Sequence, residues 1–278
     1  MSDNTKIGFI GFGNMAQAIA DGLLSKNAAA AENIFACAAN WEKLCRNTKK
    51  RGIVPCRDAA ETAVNSDIVI LAVKPYMMAD VTSTVKSILK DKIVISVAAG
   101  YPFENFEEIL LPGTHHISTI PNTPVSVGEG IFICENRHSL SDSELALVEN
   151  IFSKIALMQF VDTNQLSIAG TVSGCGPAFA SMFLEALADA AVMHGLTRDT
   201  AYSLAAQMIA GTGKLQLKTG AHPGAMKDAV CSPGGTTIRG VAALERGGLR
   251  AAVINAVDAA EYCYTALRVS RAVIADHV

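Results

Sequence analysis

Two glycine-rich segments of the chain contain residue types that bind small anions. The first, Gly11-Phe12-Gly13-Asn14-Met15-Ala16, lies between a short apolar run and an amphipathic stretch. In such a GxGxxA pattern, Gly11 permits a tight turn, Gly13 lets the backbone approach a pyrophosphate, and Ala16 allows a helix to pack closely on a strand. The amides at the start of that helix form an anion site. The segment predicts dinucleotide binding, with an ordinary glycine-rich turn as the alternative.

The second segment is Cys231-Ser232-Pro233-Gly234-Gly235-Thr236-Thr237-Ile238, between two helical stretches. Gly234 and Gly235 expose the backbone, and Thr236 or Thr237 can cap the next helix. Exposed amides at a helix start suit a small carboxylate as well as a phosphate. The hydroxyls of Ser232 and Thr237 would complete such a pocket, and a simple turn with a helix cap is the alternative.

The residues after the second predicted strand bear on the choice of dinucleotide. An Asp or Glu there would hold a ribose 2′-hydroxyl and select NAD. The chain reads Ala38-Ala39-Asn40-Trp41-Glu42-Lys43, with no acid at the tip. Asn40 can donate to a 2′-phosphate, and Lys43 or Arg46 can supply charge, so the segment favours NADP. The alternative is a helix cap at Asn40 followed by solvated charges.

Three further segments follow predicted strands, where ligands bind in open α/β sheets. They are Ala72-Val73-Lys74-Pro75, Ala98-Ala99-Gly100 and Pro121-Asn122-Thr123-Pro124. Their small residues and prolines suit rigid loops that lie against a nicotinamide ribose, and plain turns are the alternative. A fourth segment, Ser173-Gly174-Cys175-Gly176-Pro177, resembles a helix start, with Pro177 near the first turn. It either packs closely against another helix or lines the site.

Alternating strands and helices must position these loops in the first 160 or so residues. Apolar runs predict strands at 7–10, 34–37, 68–73, 93–97 and 116–119, and amphipathic stretches predict helices at 15–24, 41–51 and 80–89. This alternation indicates βαβ units and a mostly parallel, doubly wound sheet of the Rossmann type, an α/β fold. We expect a dinucleotide-binding domain over residues 1–162.

The remainder, residues 163–278, contains no strand-like runs and predicts an all-α domain. Helices are expected at 178–194, 198–217, 224–230, 238–245 and 249–274. Several are apolar on more than one face, which indicates burial. In a domain of this size, that pattern predicts coverage by a partner subunit.

The overall composition excludes several classes of protein. Of 278 residues, 50% are apolar and 18% are charged, which is typical of a globular chain rather than a disordered one. A formal net charge of −3 gives no general attraction to nucleic acid or to an anionic membrane. We see no apolar run that approaches the roughly 18 residues of a membrane span.

Cysteine and histidine usage bears on location and on metals. The seven cysteines are scattered without a CxxC pair, which suits reduced thiols and predicts a cytoplasmic protein. The Lys49-Lys50-Arg51 run is expected to be a solvated helix end. The six histidines lack the spacing of metal ligands, so we expect no metal site and expect these histidines at the surface or at helix caps.

Taken together, these motifs resemble the pyrroline-5-carboxylate reductase family, over nearly the whole chain. The most specific match is Lys227-Asp228-Ala229-Val230-Cys231-Ser232-Pro233-Gly234-Gly235-Thr236-Thr237, which contains the family's Ser-Pro-Gly-Gly-x-Thr loop. The first glycine-rich segment and the three strand-end segments match in order.

The resemblance implies a Rossmann domain followed by a helical dimerisation domain, an active site at the dimer interface, and dimers assembled into larger rings, of which a decamer is one. It implies reduction of 1-pyrroline-5-carboxylate, a cyclic imino acid, to L-proline by hydride from NADPH, or from NADH. Thr237 would be the catalytic residue, bonding the ring nitrogen. The substrate-binding residues would be Ser232, Gly234, Gly235, Thr236 and Thr237. The cofactor-binding residues would be Ile10, Gly11, Phe12, Gly13, Asn14, Met15, Ala38, Asn40, Ala72, Val73, Lys74, Ala99 and Asn122.

Two other interpretations remain open from the residues alone. One is another NAD(P)-dependent imine reductase or β-hydroxyacid reductase, although the latter would need a lysine on the first helix of the second domain, where 178–194 has none. The other is a non-catalytic dinucleotide sensor, which would need the first glycine-rich loop but not the second.

Overall fold

An eight-stranded sheet forms the centre of the first part of the chain in the computed structural model, which describes residues 4–275, and side chains through residue 262. The strands are β1 Ile7–Ile10, β2 Ile34–Cys37, β3 Val54–Pro55, β4 Ile68–Leu71, β5 Ile93–Ser96, β6 His115–Pro121, β7 Gly130–Glu135 and β8 Ala156–Val161. Their order is β3-β2-β1-β4-β5-β6-β7-β8. All neighbours are parallel except β6 and β7. The predicted doubly wound α/β sheet is confirmed.

Continuous apolar runs form the central strands because both faces of the sheet are covered. Every residue of β1, β4 and β5 is buried. In β4, Ile68 and Ile70 contribute to one hydrophobic core, while Val69 and Leu71 contribute to the other. The strand order reverses between β1 and β4, and this reversal creates the crevice in which doubly wound sheets bind ligands.

Twelve α-helices accompany the strands within the described residues. They are α1 Asn14–Ser25, α2 Trp41–Lys49, α3 Ala59–Val64, α4 Met78–Ser83, α5 Lys86–Leu89, α6 Phe103–Ile109, α7 Asp142–Phe152, α8 Leu166–Met193, α9 Arg198–Thr219, α10 Pro223–Ala229, α11 Thr236–Arg246 and α12 Leu249–Ala275. The expected all-α second half is therefore observed, with most helix ends within a few residues of their predicted positions.

Several element boundaries differ from the sequence-based expectations. The sequence reasoning missed β3, β7 and β8, and it made β4 and β5 too long. The single helix expected at 80–89 is two short helices, α4 and α5, which are interrupted at Val85. Hydroxyls near the break bind backbone carbonyls, as Thr82 does with Met78 and Ser83 with Asp80. Such side chains compete with helical hydrogen bonds.

Helix α8 corrects the expectation of a helix start near Pro177, because it begins at Leu166 and contains Pro177 in its interior. Proline has no amide hydrogen, so it leaves the carbonyl four residues earlier, that of Ser173, without its helical donor. The side chain of Asn122 supplies the missing partner, since its Nδ2 donates to the Ser173 oxygen at 3.0 Å. A side chain 51 residues away therefore completes the hydrogen bonding of this helix.

The segment Thr163–Met193 is long and apolar enough to cross a membrane by length and composition, contrary to our expectation that no run is. This is weak evidence for a membrane span, because apolar helices that are covered by other protein pass the same test.

Residue contacts divide the chain into two compact units. The first contains the residues up to Gly174, and the second is Cys175–Cys263. In the second unit, several large apolar side chains are at least 60% exposed, among them Met182, Met193, Leu217, Ile254 and Tyr262. These exposed side chains agree with helices that are apolar on more than one face.

A close backbone contact joins α1 to the turn at Thr123–Val127 in the first unit. A Cβ atom on Gly22 would lie 2.2 Å from the Val125 oxygen, and one on Gly130 would lie 2.6 Å from the Val125 Cα. Both distances are far below van der Waals contact. Val125 therefore packs against the backbone of Gly22 and of Gly130, and neither position has room for a side chain.

Candidate active site

The first glycine-rich turn, which we call the phosphate loop (residues 11–16), connects β1 to α1 at the strand-order reversal. Gly11 has a φ of +94°, which L side chains rarely adopt. Its amide donates to the Cys37 oxygen at 3.0 Å, and a Cβ there would lie 2.7 Å from the Ala72 oxygen. The tight turn predicted for Gly11 is thus observed. It brings together the carboxyl ends of β1, β2 and β4.

The start of α1 has the properties of an anion site. Gly13 is the N-cap residue, no side chain caps the helix, and the first turn contains no acid. Gly13 is exposed, and a Cβ there would meet no atom within 4 Å, so ligand can approach its backbone closely. Ala16 is buried and packs the helix on the sheet, as expected. These residues fit a dinucleotide pyrophosphate.

The residues flanking the phosphate loop differ in what they can offer to a cofactor. Ile10 and Phe12 are buried, so only their backbone can contact a ligand. The ring of Phe12 packs edge-on against that of Phe9, with centroids 5.8 Å apart. Asn14 is exposed and Met15 is partly exposed, so their side chains are accessible.

A hydrogen-bonded network beneath the phosphate loop was missed by sequence reasoning. Gln17 Nε2 donates to the Phe12 oxygen at 3.2 Å, and Arg51 Nη1 donates to Gln17 Oε1 at 3.2 Å. Arg51 also binds both carboxylate oxygens of Asp21, at 2.6 and 2.8 Å. Arg51 is therefore not the solvated helix end that its charged neighbours suggested. Asp21 and Gln17 lie 30 and 34 residues from Arg51 in the sequence, so no local pattern reveals these contacts.

At the end of β2, the structure shows the helix cap that was one of two alternatives for Asn40. Its Oδ1 accepts from the amide of Lys43 at 2.8 Å. No partner for Asn40 Nδ2 is found among the described residues, so this nitrogen can still donate. Ala38 is partly exposed, whereas Lys43 and Arg46 are exposed. Sequence reasoning overlooked Arg57, whose guanidinium carbon lies 3.9 Å from the centre of the Trp41 ring.

The three strand-end segments lie along one edge of the sheet, because β4, β5 and β6 are parallel neighbours. Ala72 is fixed by its amide, which donates to the Ile10 oxygen at 2.8 Å. Val73 is partly exposed, and Lys74 and Ala99 are exposed. These positions form an accessible edge beside the phosphate loop.

Asn122 differs from the other predicted cofactor residues because it is buried and its amide is engaged within the chain. Its Oδ1 accepts from the Ile131 amide at 2.8 Å, and its Nδ2 binds Ser173 as described above. Only 5% of Asn122 is exposed. The structure therefore assigns its side chain to holding the loop after β6, and contact with a cofactor is left to the backbone.

Among the five histidines that the structure describes, one is neither at the surface nor at a cap, contrary to expectation; His277 lies outside the described residues. His116 in β6 is 1% exposed, its Nε2 lies 2.7 Å from Glu107 Oε1, and its ring stacks on Phe103 with centroids 4.4 Å apart. Burial lowers the pKa of His116 by disfavouring the charged ring, although Glu107 partly opposes this. His222 meets the expectation, because its side chain caps α10.

The second glycine-rich segment, which we call the carboxylate loop (residues 231–237), lies in the second unit. Gly234 has a φ of +70°, and a Cβ on Gly235 would lie 2.4 Å from Ser232 Oγ. The Gly235 amide donates to the Ser232 oxygen at 3.0 Å. Gly234 is therefore needed for its positive φ, while a side chain at Gly235 would displace the Ser232 hydroxyl, and the turn leads directly into α11.

The start of α11 is capped by neither threonine, which corrects the expectation for Thr236 and Thr237. Gly235 is the N-cap, and both threonines lie in the first helical turn, which contains no acid. Ser232, Thr236 and Thr237 are all exposed, and within residues 4–262 their hydroxyls have no partner. Three hydroxyls and the first-turn amides are thus free to bind an anionic group.

Two other kinds of site, a metal site and a helix with a catalytic lysine, are not found in the described part of the chain. Residues 4–262 contain no group of three or more His, Cys, Asp or Glu side chains close enough to hold a metal ion. In addition, no lysine occurs anywhere in the observed α8. The β-hydroxyacid reductase interpretation required a lysine on this helix.

Comparisons with known proteins agree with this geometry. The family model described as pyrroline-5-carboxylate reductase dimerisation matches residues 163–266, and the one described as NADP oxidoreductase coenzyme F420-dependent matches residues 6–100. A pyrroline-5-carboxylate reductase of Treponema pallidum is 45% identical over 258 residues, which span 91% of this chain and 98% of that relative. The Escherichia coli enzyme of the same name is 40% identical over 253 residues, 91% of this chain and 94% of that relative.

Solved structures show the same similarity. A Plasmodium falciparum pyrroline carboxylate reductase with NADP bound superposes with a TM-score of 0.84 and 31% identity, covering 96% of this chain and all of that one. A Coxiella burnetii pyrroline-5-carboxylate reductase also gives 0.84, with 33% identity and coverage of 95% and 99%.

The doubly wound sheet with an open phosphate loop, followed by a helical unit, defines a two-domain NAD(P)-dependent oxidoreductase. Its helical part matches a dimerisation model, which supports homo-oligomerisation and a small-molecule substrate. The relative that is 45% identical, and of which this chain covers 98%, identifies the family within that class. The chain belongs to the pyrroline-5-carboxylate reductase family.

Proposed function

We propose that the protein reduces 1-pyrroline-5-carboxylate to L-proline with NADPH or NADH, the final step of proline biosynthesis. The observation that carries the proposal is the carboxylate loop, whose exposed hydroxyls have no partner among the described residues and which leads into a helix start without an acid. The loop contains hydrogen-bond donors and no charged side chain, and such donors can bind the carboxylate of a small cyclic substrate. Identity of 45% to a curated reductase of that name supports this assignment.

The substrate carboxylate is bound by Ser232, Gly234, Gly235 and Thr236 in this proposal. Backbone amides at the start of a helix point toward an anion and add the favourable end of the helix dipole. Gly234 and Gly235 keep that approach free of side chains. This arrangement fixes the ring by its carboxylate and leaves its C=N bond to be oriented separately.

Thr237 orients the ring nitrogen as the catalytic residue. The reaction adds a hydride to the imine carbon and a proton to the nitrogen, and it oxidises the nicotinamide that supplies the hydride. The carboxylate loop contains no histidine or lysine, so the proton comes from water or from substrate that is already protonated. Catalysis therefore rests mainly on positioning.

The cofactor is bound by the first unit in this proposal. The pyrophosphate lies on the backbone of Ile10, Gly11, Phe12, Gly13, Asn14 and Met15. The adenosine ribose lies near Ala38 and Asn40, and the nicotinamide half near Ala72, Val73, Lys74, Ala99 and the backbone of Asn122. We further propose a functional boundary between residues 162 and 163, a homodimer formed through the helical domain, assembly of dimers up to a decamer, and a cytoplasmic location.

The first test is absorbance at the NADPH band with pyrroline-5-carboxylate added to the purified full-length protein, with NADH in parallel. Rapid oxidation with either cofactor supports the proposal. Cofactor binding without any oxidation would contradict it, and would favour either a different imine or a dinucleotide sensor.

Replacing Thr237 tests the catalytic assignment. Thr237→Ala removes one hydrogen bond that is made to the reacting substrate, so we expect kcat/KM to fall by about 10- to 100-fold. NADPH affinity should not change. Thr237→Ser retains the hydroxyl and is the matched control, which should keep most of the activity. Equal turnover in wild type and Thr237→Ala would refute the role of this residue.

A further inference from the structure

Arg57 is an exposed cation in a constrained position. Its guanidinium lies over the Trp41 ring, 3.9 Å from the ring centre. No carboxylate among the described side chains pairs with it. The two nearest acids in sequence are engaged elsewhere, because Glu61 Oε2 accepts from the Arg57 backbone amide and Asp58 Oδ1 accepts from the amide of Glu61.

The position of Arg57 is set by the pairing of β2 with β3. Ala36 is opposite Pro55 in the parallel register, and the Cys56 amide donates to the Ala36 oxygen at 2.8 Å. Arg57 is the next residue, so it lies beside the carboxyl end of β2. This strand end is where a doubly wound fold places the adenosine ribose of a dinucleotide.

The same corner contains other donors, and its two acids are Glu42 in the first turn of α2 and Asp58, which caps α3. Asn40 Nδ2 is available, since only the Oδ1 of that side chain caps α2. Trp41 begins α2, a nine-residue helix whose N-terminus lies at this corner. Stacking on an indole holds a guanidinium flat and restricts its rotamers, which leaves its fork of donors free at the edge.

We infer that Arg57, held by Trp41, binds the 2′-phosphate of NADP(H) and sets the preference of this protein for NADP(H) over NAD(H). This inference rests on the proposed use of a nicotinamide cofactor. A guanidinium is suited to phosphate because its donors match the phosphate oxygens in pairs. Asn40 assists as a neutral donor. Lys43 and Arg46, which sequence reasoning considered as the source of charge, are not needed.

The test measures equilibrium binding and does not depend on turnover. Adenosine 2′,5′-bisphosphate and 5′-AMP are titrated calorimetrically into the full-length protein, as probes that differ only in the 2′-phosphate. Arg57→Met retains an apolar side chain to pack on Trp41 and removes the charge. Arg46→Met and Lys43→Met are the matched controls, because they remove exposed cations from α2 without disturbing the stack.

We expect Arg57→Met to weaken the bisphosphate about tenfold, the size of one charge-assisted hydrogen bond at an exposed site. Affinity for 5′-AMP should not change, and both control variants should resemble wild type. The ratio of kcat/KM for NADPH to that for NADH should fall by the same factor.

Several results would overturn the inference. They are unchanged bisphosphate binding in Arg57→Met, an equal loss of both probes, a selective loss in Arg46→Met or Lys43→Met instead, or a wild-type protein that does not prefer the bisphosphate. Failure of the reductase assay leaves this binding experiment intact, so the two proposals fail separately.

Discussion

Replacing Asn122 with alanine should destabilise the protein, because it leaves one buried and one partly buried backbone group without a partner. The Ile131 amide loses an acceptor at 2.8 Å, and the Ser173 carbonyl loses a donor at 3.0 Å. An unsatisfied buried group costs about 1–3 kcal/mol, and the partly buried Ile131 amide costs less, so the total is about 2–4 kcal/mol. The loss should appear in urea unfolding followed by circular dichroism, with every variant at the same protomer concentration because oligomerisation contributes to apparent stability.

A second substitution tests the reason for that loss. Pro177→Ala restores an amide hydrogen that can donate to the Ser173 oxygen within α8. In the Asn122→Ala background this new bond replaces the missing one, whereas in wild type the carbonyl is already satisfied. The general effects of removing a proline, on strain in the helix and on the unfolded chain, are the same in both backgrounds and cancel in a double-mutant cycle.

We expect a coupling of about 1 kcal/mol, the net value of one hydrogen bond, with Pro177→Ala more favourable when Asn122 is absent. Hydrogen exchange provides a local readout. The Ile131 amide should lose protection in Asn122→Ala, in both the presence and the absence of Pro177. Strictly additive free energies would refute the claim that Asn122 substitutes for the helical donor that Pro177 lacks.

Two further predictions concern the first unit. Gln17→Ala frees the Phe12 carbonyl beneath the phosphate loop, so the Kd for NADPH should rise about fivefold, the effect of one hydrogen bond of about 1 kcal/mol, as measured by cofactor fluorescence. Asp21→Asn, which leaves the contact between Gln17 and Phe12 in place, should change that Kd less; an unaltered Kd in Gln17→Ala would contradict the role of the network. The second prediction is a loss of stability in acid caused by His116, whose pKa burial holds below its ordinary value of 6.5. As the pH falls through about 6.5 the unfolded chain takes up a proton that the folded chain resists, so stability declines toward acid. Thermal melts at about pH 7 and pH 5 should show a smaller decline in His116→Gln, and an identical decline in the two proteins would contradict this assignment.

Local patterns predicted the parts of the fold that local forces determine. Continuous β-branched runs identified the central strands, and the spacing of Gly11, Gly13 and Ala16 identified the phosphate loop, because a turn and a helix start depend on adjacent residues. The edge strands were harder. Only two residues of β3 pair with β2. In β8, Leu157 is exposed and polar Gln159 interrupts the apolar residues, so the run lacks the uniform character of a buried strand.

Side-chain partners far apart in sequence could not be predicted in this way. Asn122 looked like a ligand residue because it follows a strand in a proline-containing loop, yet its amide serves Ile131 and Ser173. Arg51 looked like part of a solvated basic run, yet it binds Asp21 and Gln17. Such roles depend on which elements become neighbours after folding, and the residue type alone leaves that open. The free hydroxyls of Thr236 and Thr237 are a similar case, since only the observed N-cap shows that they are not used for capping.

The contact of Gly22 and Gly130 with Val125 limits which substitutions the protein can accept during evolution. The helix that follows the phosphate loop and the turn after β6 are so close there that neither Gly22 nor Gly130 can be replaced without a shift of backbone atoms. The exposed corner at the end of β2, with Asn40, Trp41 and Arg57, is under no such restriction. With the cofactor placed as proposed, point mutations at its adenosine end can change the cofactor preference, while the segment that follows the phosphate loop has no room for added side chains.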